Sequence, residues 1–274
     1  MRLDYFTLLC DKPINISIGR LKAPTLDDIG NITFTVFGKY TVYLKLTPSE
    51  YYKTINKEQK ELFWDYLTEE QQDGFSLYDL ILVEDDVRDT FVEIFNFFFI
   101  EKIIFRDNLF YIVNVDKESP DDLELTVDNV IGVINPANIL DVVDLIQQIC
   151  CLKSDDPLDE VKPKFKNKKA EMLYQRMLKA KQEQEEQAAK KNSVNMQLAN
   201  IISATAAKTP GLNIINIWQL TIFQLYDQFG KIQNDDIHYM NSVRVAVWGD
   251  ENKQFDPSLW YKNNYNKERK NDLI

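Results

Sequence analysis

Apolar positions recur along this chain in two rhythms, and the helical one is the stronger. Between Glu84 and Phe98, residues Val87, Phe91, Ile94, Phe95 and Phe98 fall at helical spacing. That spacing predicts an amphipathic helix whose acidic start suits the positive end of its dipole. Asn135-Pro136 opens a second strong helix, with Ile139, Val142, Val143, Ile146, Ile149 and Cys150 as its buried stripe. Earlier helix starts are marked by their caps. Thr25 precedes Leu26-Asp27-Asp28, and Thr47 precedes Pro48-Ser49-Glu50, where proline fits the first helical position and Glu50 completes a capping box. Several short helices are expected from there to about Phe99.

The two-residue rhythm is local. Residues 5–22 read as a hairpin: Tyr5 to Cys10 is a β-prone run, Asp11-Lys12-Pro13 supplies a turn, and Ile14, Ile16 and Ile18 alternate until Gly19 ends the strand. A second hairpin is expected from Lys102 to Val115, with Ile103-Ile104-Phe105 and Leu109 to Val115 flanking Arg106-Asp107-Asn108. Leu123 to Val127 is expected to add a third strand.

Periodicity stops between 153 and 168, where Lys153-Ser154-Asp155-Asp156-Pro157 and Lys162-Pro163-Lys164 interrupt it. Beyond lies a highly charged helical pattern, Ala170 to Lys191, whose apolar stripe (Ala170, Leu173, Met177, Ala180) fades after three turns. A weaker amphipathic stretch, Val194 to Ala207, follows. After Thr209-Pro210-Gly211, residues Ile215, Trp218, Ile222, Leu225, Phe229 and Ile232 form a heptad-like seam in a helix spanning 214–232. Asp256-Pro257 opens a short terminal helix. The expected fold is α+β and predominantly helical. An acidic α+β domain at 1–152 with short hairpins precedes a linker at 153–169, and a helical region with an aromatic C-terminal part occupies 170–274.

Composition sharpens this picture in three ways. Only 8 glycines and 9 prolines occur in 274 residues, which disfavours loop-rich sandwiches and barrels. The net charge of −11 is uneven: residues 1–152 carry 27 acidic and 13 basic side chains, a balance of −14, and the remainder balances at +3. The first domain would therefore repel a phosphate backbone, and no nucleic-acid partner is expected for it. The three cysteines, Cys10, Cys150 and Cys151, fit no secreted disulfide framework. No apolar run is long enough to span a membrane, and Asp4 stands too early for a signal peptide. The expected location is the cytoplasm.

A search for chemistry leaves little. The single histidine, His238, stands beside Asp235, Asp236 and Tyr239 in what reads as a polar turn. No nucleophile elbow or phosphate cradle is present, and no cysteine has an identifiable histidine partner. Asp85, Asp89 and Glu93 would share one helix face and could hold a hard cation; a solvated helix start accounts for them as well. Lysines 162, 164, 166, 168 and 169 form a cationic run without stacking aromatics beyond Phe165. No catalytic residue, cofactor or metal is assigned. The residues expected to bind a partner are Trp218, Ile222, Leu225, Phe229, Trp248 and Trp260, since aromatic anchors dominate protein interfaces; a buried core would use the same residues equally well.

Two stretches carry a family resemblance. Ile18-Gly19-Arg20-Leu21-Lys22-Ala23-Pro24-Thr25-Leu26-Asp27-Asp28-Ile29 resembles the opening of tail assembly chaperones of long-tailed phages of Gram-positive bacteria. The run Ile217 to Phe229, with Val247-Trp248-Gly249 and Leu259-Trp260-Tyr261-Lys262, resembles their C-terminal part. The resemblance implies a non-enzymatic protein of the host-cell cytoplasm that binds the tape-measure protein and tail-tube subunits, with a homo-oligomer compatible. It also raises joining of the two parts by ribosomal frameshifting, at Lys168-Lys169 or Lys190-Lys191, for which single-frame translation is the simpler alternative. Other readings are a structural virion component, such as a connector or tail-completion protein, and a carboxylate hydrolase built on the 84–93 acids.

Overall fold

The computed structural model describes residues 2–55, 61–120, 122–152, 197–250, 255–263 and 265. The expected linker at 153–169 and the charged helix at 170–191 lie outside them. The chain forms two compact units, Met1–Lys153 with Gln219–Phe223, and Ser154–Trp218 with Gln224–Ile274. A mixed α/β N-terminal region with short strands precedes a mostly helical C-terminal region, and the whole is predominantly helical.

Helices of the first unit are short, and side-chain caps define where they begin. Thr25 and Asp28 form a reciprocal capping box at the start of α2 (Leu26–Ile32), as Thr47 and Glu50 do for the turn α4 (Pro48–Glu50). Between these two, α3 (Phe34–Tyr43) starts at Thr33. Beyond α5 (Glu61–Tyr66), Thr68 with Gln71 and Ser76 with Asp79 repeat the motif at α6 (Glu69–Gly74) and α7 (Leu77–Val83). One early expectation is overturned. Tyr5–Leu9 is a helical turn, α1, and not a strand, because the Asp4 side chain accepts from the Thr7 N–H at 3.0 Å and caps it. The first hairpin is correspondingly smaller. It pairs β1 (Ile14–Ile16) with β2 (Gly19–Leu21), so that Ile18 sits in the turn and Gly19 begins a strand where the alternation predicted an end.

The core centres on α8 (Asp85–Phe98), which forms where the 84–98 periodicity predicts it. Val87, Phe91, Ile94, Phe95 and Phe98 are all fully buried. Phe95 meets Phe110 edge-on at 5.1 Å and Phe99 at 6.3 Å, while Phe97 meets Phe37 and Tyr40 of α3. Edge-to-face rings of this kind add to the area they remove from water. The helix thus lies between α3 and an antiparallel sheet of order β3 (Lys102–Arg106), β4 (Leu109–Val113) and β5 (Val130–Ile134). The β3–β4 turn forms as expected, with Asp107 and Asn108 both at positive φ, as a two-residue hairpin turn requires. Asn96 of α8 closes the outer edge of β3: its amide accepts from the Ile103 N–H and donates to the Ile103 carbonyl, each at 2.9 Å.

Leu123–Val127 is not the third strand. Asn129 ties this segment into a turn by accepting from the Thr126 N–H (2.8 Å) and donating to the Glu124 carbonyl (2.8 Å), and Val127 is 97% exposed. The strand begins three residues after Val127 and includes Gly132. Helix α9 (Ile139–Ile149) then buries the stripe read from its sequence, Cys150 included.

The β1–β2 hairpin is tied to the chain leaving α8. Lys22 N–H donates to the Phe98 carbonyl (2.8 Å) and Ile100 N–H to the Arg20 carbonyl (2.9 Å). Beside them Glu101, nearly inaccessible, accepts from Arg20 Nε (2.7 Å) and from the Arg20 backbone N–H (3.0 Å). Burial opposes ionisation of Glu101, but these Arg20 donors outweigh it and hold its carboxyl below the ordinary value of 4.5. A depressed folded-state value means the contribution to stability is complete above pH 4.5 and is lost as pH falls through the lowered value. Glu101→Gln is therefore expected to cost about 2 kcal/mol at neutral pH, a figure held down by the half-exposed guanidinium of Arg20. The loss should shrink in acid, and urea denaturation at pH 7 and pH 3 measures it.

The second unit contains α10 (Leu198–Lys208), a short 3₁₀ turn at Ile217–Gln219 up to its last residue, and most of the long helix α11 (Ile222–Trp248). The expected continuous 214–232 helix is corrected here. The seam is broken at 220–221 because this segment pairs with Pro24–Leu26 of the first unit, to which 219–223 belong. Leu26 N–H donates to the Leu220 carbonyl (2.9 Å), Ile222 N–H donates to the Pro24 carbonyl (3.0 Å), and Thr25 and Thr221 form an antiparallel bridge. Long-range backbone pairing overrides local periodicity, and the helix starts after it.

Candidate protein interface

Helix α11 runs for 27 residues, about 40 Å at 1.5 Å per residue, and its environment changes along that length. Ile222, Phe223 and Leu225 in its first turns are buried, and Tyr226 to Ile232 are half-buried. From there the helix turns apolar side chains outward. Ile237, Tyr239, Met240, Val243, Val247 and Trp248 are all exposed, Trp248 at 76%. At 100° per residue these six cover one half of the helix circumference. An exposed apolar band at helical spacing is surface whose removal from water would be favourable.

The C-terminal segment is fastened to the more polar part of the same helix. Lys231 Nζ donates to the carbonyl oxygens of Tyr261 and Lys262, at the end of a 3₁₀ turn, Leu259–Tyr261. That turn stands where a short terminal helix is expected after Asp256-Pro257; the Asp256 carboxylate accepts from Ser258 (2.9 Å from its N–H), which lowers its pKa. The His238 ring lies 5.3 Å from that of Phe255. His238 is therefore inside a helix and not in a polar turn, its ring set against a phenylalanine. Trp260 and Tyr261, with rings 5.0 Å apart and both exposed, stand at the end of this segment. Lys208 at the end of α10 pairs with Asp236 on α11, joining these two helices.

The six residues expected at a partner surface divide by burial. Ile222 and Leu225 have no exposed surface, Phe229 is half-buried, and Trp218 is half-buried with its indole N–H donating to the Ile214 carbonyl (2.8 Å). Trp248 and Trp260 are exposed. Sequence reading passed over Ile237, Met240, Val243 and Val247. Their three- and four-residue spacing was the available signal, masked by Asn234-Asp235-Asp236-Ile237-His238, which reads as a turn.

The acidic run resolves into structural roles. Glu84 and Asp86 accept from the buried tyrosine hydroxyls, Tyr52 Oη to Glu84 at 3.2 Å and Tyr51 Oη to Asp86 at 2.8 Å. Burial, with the Glu84 carboxylate second, raises the Tyr52 phenol well above its ordinary range. Asp85 and Asp89 flank Arg88 at 2.8 and 3.6 Å, and Glu93 lies 3.9 Å from Lys39. Among the described residues no three His, Cys, Asp or Glu side chains converge as a metal site requires. The three cysteines are free thiols. The lysine run 162–169 lies outside the described residues, and no helix among those described is long and apolar enough to cross a membrane.

Residues 188–265, a stretch that takes in α10 and α11, match the family model described as the YomV second domain. No curated protein and no solved structure matches the chain.

Proposed function

We propose that this protein works by binding other proteins and not by catalysis, and that it is a tail assembly chaperone of a long-tailed phage, acting in the host cytoplasm. On this reading the first unit is the stable body. The outer half of α11 and the C-terminal aromatics engage the tape-measure protein, with tail-tube subunits recruited alongside. The observation that carries the reading is the exposed band ending at Trp248, joined by Trp260 and Tyr261. A long helical client would lay its own apolar stripe along such a band, and exposed tryptophans are the side chains that anchor such contacts. The resemblance of the 217–229, 247–249 and 259–262 stretches to that family supplies the identity of the client.

Co-expression with the tape-measure and tube proteins, followed by affinity capture of the full chain, tests it. Capture of the tape measure is expected, falling at least about tenfold in Trp248→Ala with Trp260→Ala, the loss typical of interface anchors. Capture of neither partner sinks the proposal. Stoichiometric presence in purified particles, by mass spectrometry, would instead make the protein a structural virion component.

A further inference from the structure

The outward face of α11 repeats its apolar positions and reverses its charge about Met240. Asp236 lies four residues before it and Arg244 four after; Ile237 lies three before and Val243 three after. All five are exposed and fall on one side of the helix, together with Val247. Asp236 accepts from Lys208 through Oδ2, and among the described residues neither its Oδ1 nor the Arg244 side chain has an ion pair or hydrogen bond.

We propose that this face is covered by a second copy of the chain, in an antiparallel helix pair whose two-fold axis passes beside Met240. The arrangement follows from matching the face to itself. A two-fold axis places residue i of one helix opposite a residue equally far on the other side of Met240 in the partner. Met240 then meets Met240, Ile237 meets Val243, and Asp236 meets Arg244, twice over. A parallel pairing would set Asp236 against Asp236 and Arg244 against Arg244, and like charges in register oppose association. The charges therefore select the antiparallel pair while the apolar residues between them drive it. This goes beyond the chaperone reading, since it concerns the chain with no client present. A client that uses the same band would compete with the second copy.

Sedimentation velocity of the purified full-length chain over a micromolar concentration series tests the pairing. A monomer–dimer equilibrium is expected. Asp236→Arg and Arg244→Asp should each weaken the dimer at least about tenfold, because each sets like charges face to face at both ends. The double variant should recover it, although Lys208 then lacks its carboxylate, because the exchanged charges meet again only across the axis. Met240→Asp should abolish the dimer and, since the side chain is exposed, leave the melting temperature unchanged at concentrations where the parent chain is monomeric. A monomer at every concentration overturns the proposal. So does a dimer indifferent to Met240→Asp, or a double variant that fails to recover. None of these outcomes bears on tape-measure capture, which is read separately in co-expressing cells.

Discussion

Ile222→Asp is expected to unfold the first unit, although position 222 lies far along the chain from most of that unit. Ile222 has no exposed surface, and its N–H donates to the Pro24 carbonyl at 3.0 Å. Aspartate at this position would lose the transfer energy of a buried isoleucine and place a carboxylate in the core. Truncating buried isoleucine alone costs about 2–5 kcal/mol, and an uncompensated buried charge adds a similar penalty unless it takes up a proton. A loss of about 5 kcal/mol or more is comparable with the whole stability of an ordinary domain. Urea denaturation followed by far-ultraviolet circular dichroism measures it. Ile215→Asp is the control: Ile215 is 84% exposed, and its replacement should change stability by less than about 0.5 kcal/mol. Equal effects at the two positions would show that 219–223 do not belong to the first unit.

Gly132→Val is the second large effect. Gly132 sits in β5 opposite Ile112 of β4, and the turn of the β1–β2 hairpin lies directly over it. A Cβ at 132 would collide with the Ile18 carbonyl oxygen and stand 2.8 Å from Ile18 Cα. These are backbone atoms, so no rotamer change relieves the clash. Either the hairpin lifts off the sheet or β5 leaves its register, and overpacking of this kind costs about 3 kcal/mol or more. Lifting the hairpin would also strain the Arg20–Glu101 pair, so the acid dependence assigned to Glu101 should weaken in the same variant. Gly38→Ala in α3 gives the contrast, because its Cβ would meet nothing within 4 Å. Removing a helical glycine there should stabilise the protein by about 0.5–1 kcal/mol. Thermal melts of the two variants should move in opposite directions.

What could be read from the sequence follows the range of the interactions involved. Helices α8 and α9 and the caps at Thr25 and Thr47 were legible, because spacing and capping act within a few residues. The Asp107-Asn108 turn was legible for the same reason. Tyr5–Leu9 was misread because its residues favour strands, while the cap that decides the matter, Asp4 to Thr7, is a single hydrogen-bond pattern easily passed over. The break in the 215–232 seam could not have been read at all. It depends on Pro24–Leu26, and nothing in the local pattern at Leu220 and Thr221 announces a partner so distant in the chain. The surface band was half legible: Trp248 and Trp260 were named for their residue type, whereas Met240 and Val243 needed the helix to be known first.

The pairing of 220–222 with Pro24–Leu26 has a consequence for how the protein is made. When the ribosome has released residues 1–153, the first unit still lacks a piece of itself. The Leu26 N–H and the Pro24 carbonyl remain hydrated until Leu220 and Ile222 emerge. At ordinary synthesis rates of roughly 5–20 residues per second, that interval lasts on the order of ten seconds. Contacts so far apart in sequence also close slowly, since the loop must be drawn in before they form. The nascent chain therefore spends its early life with one seam open, and the last step of folding the N-terminal body belongs to the C-terminal half.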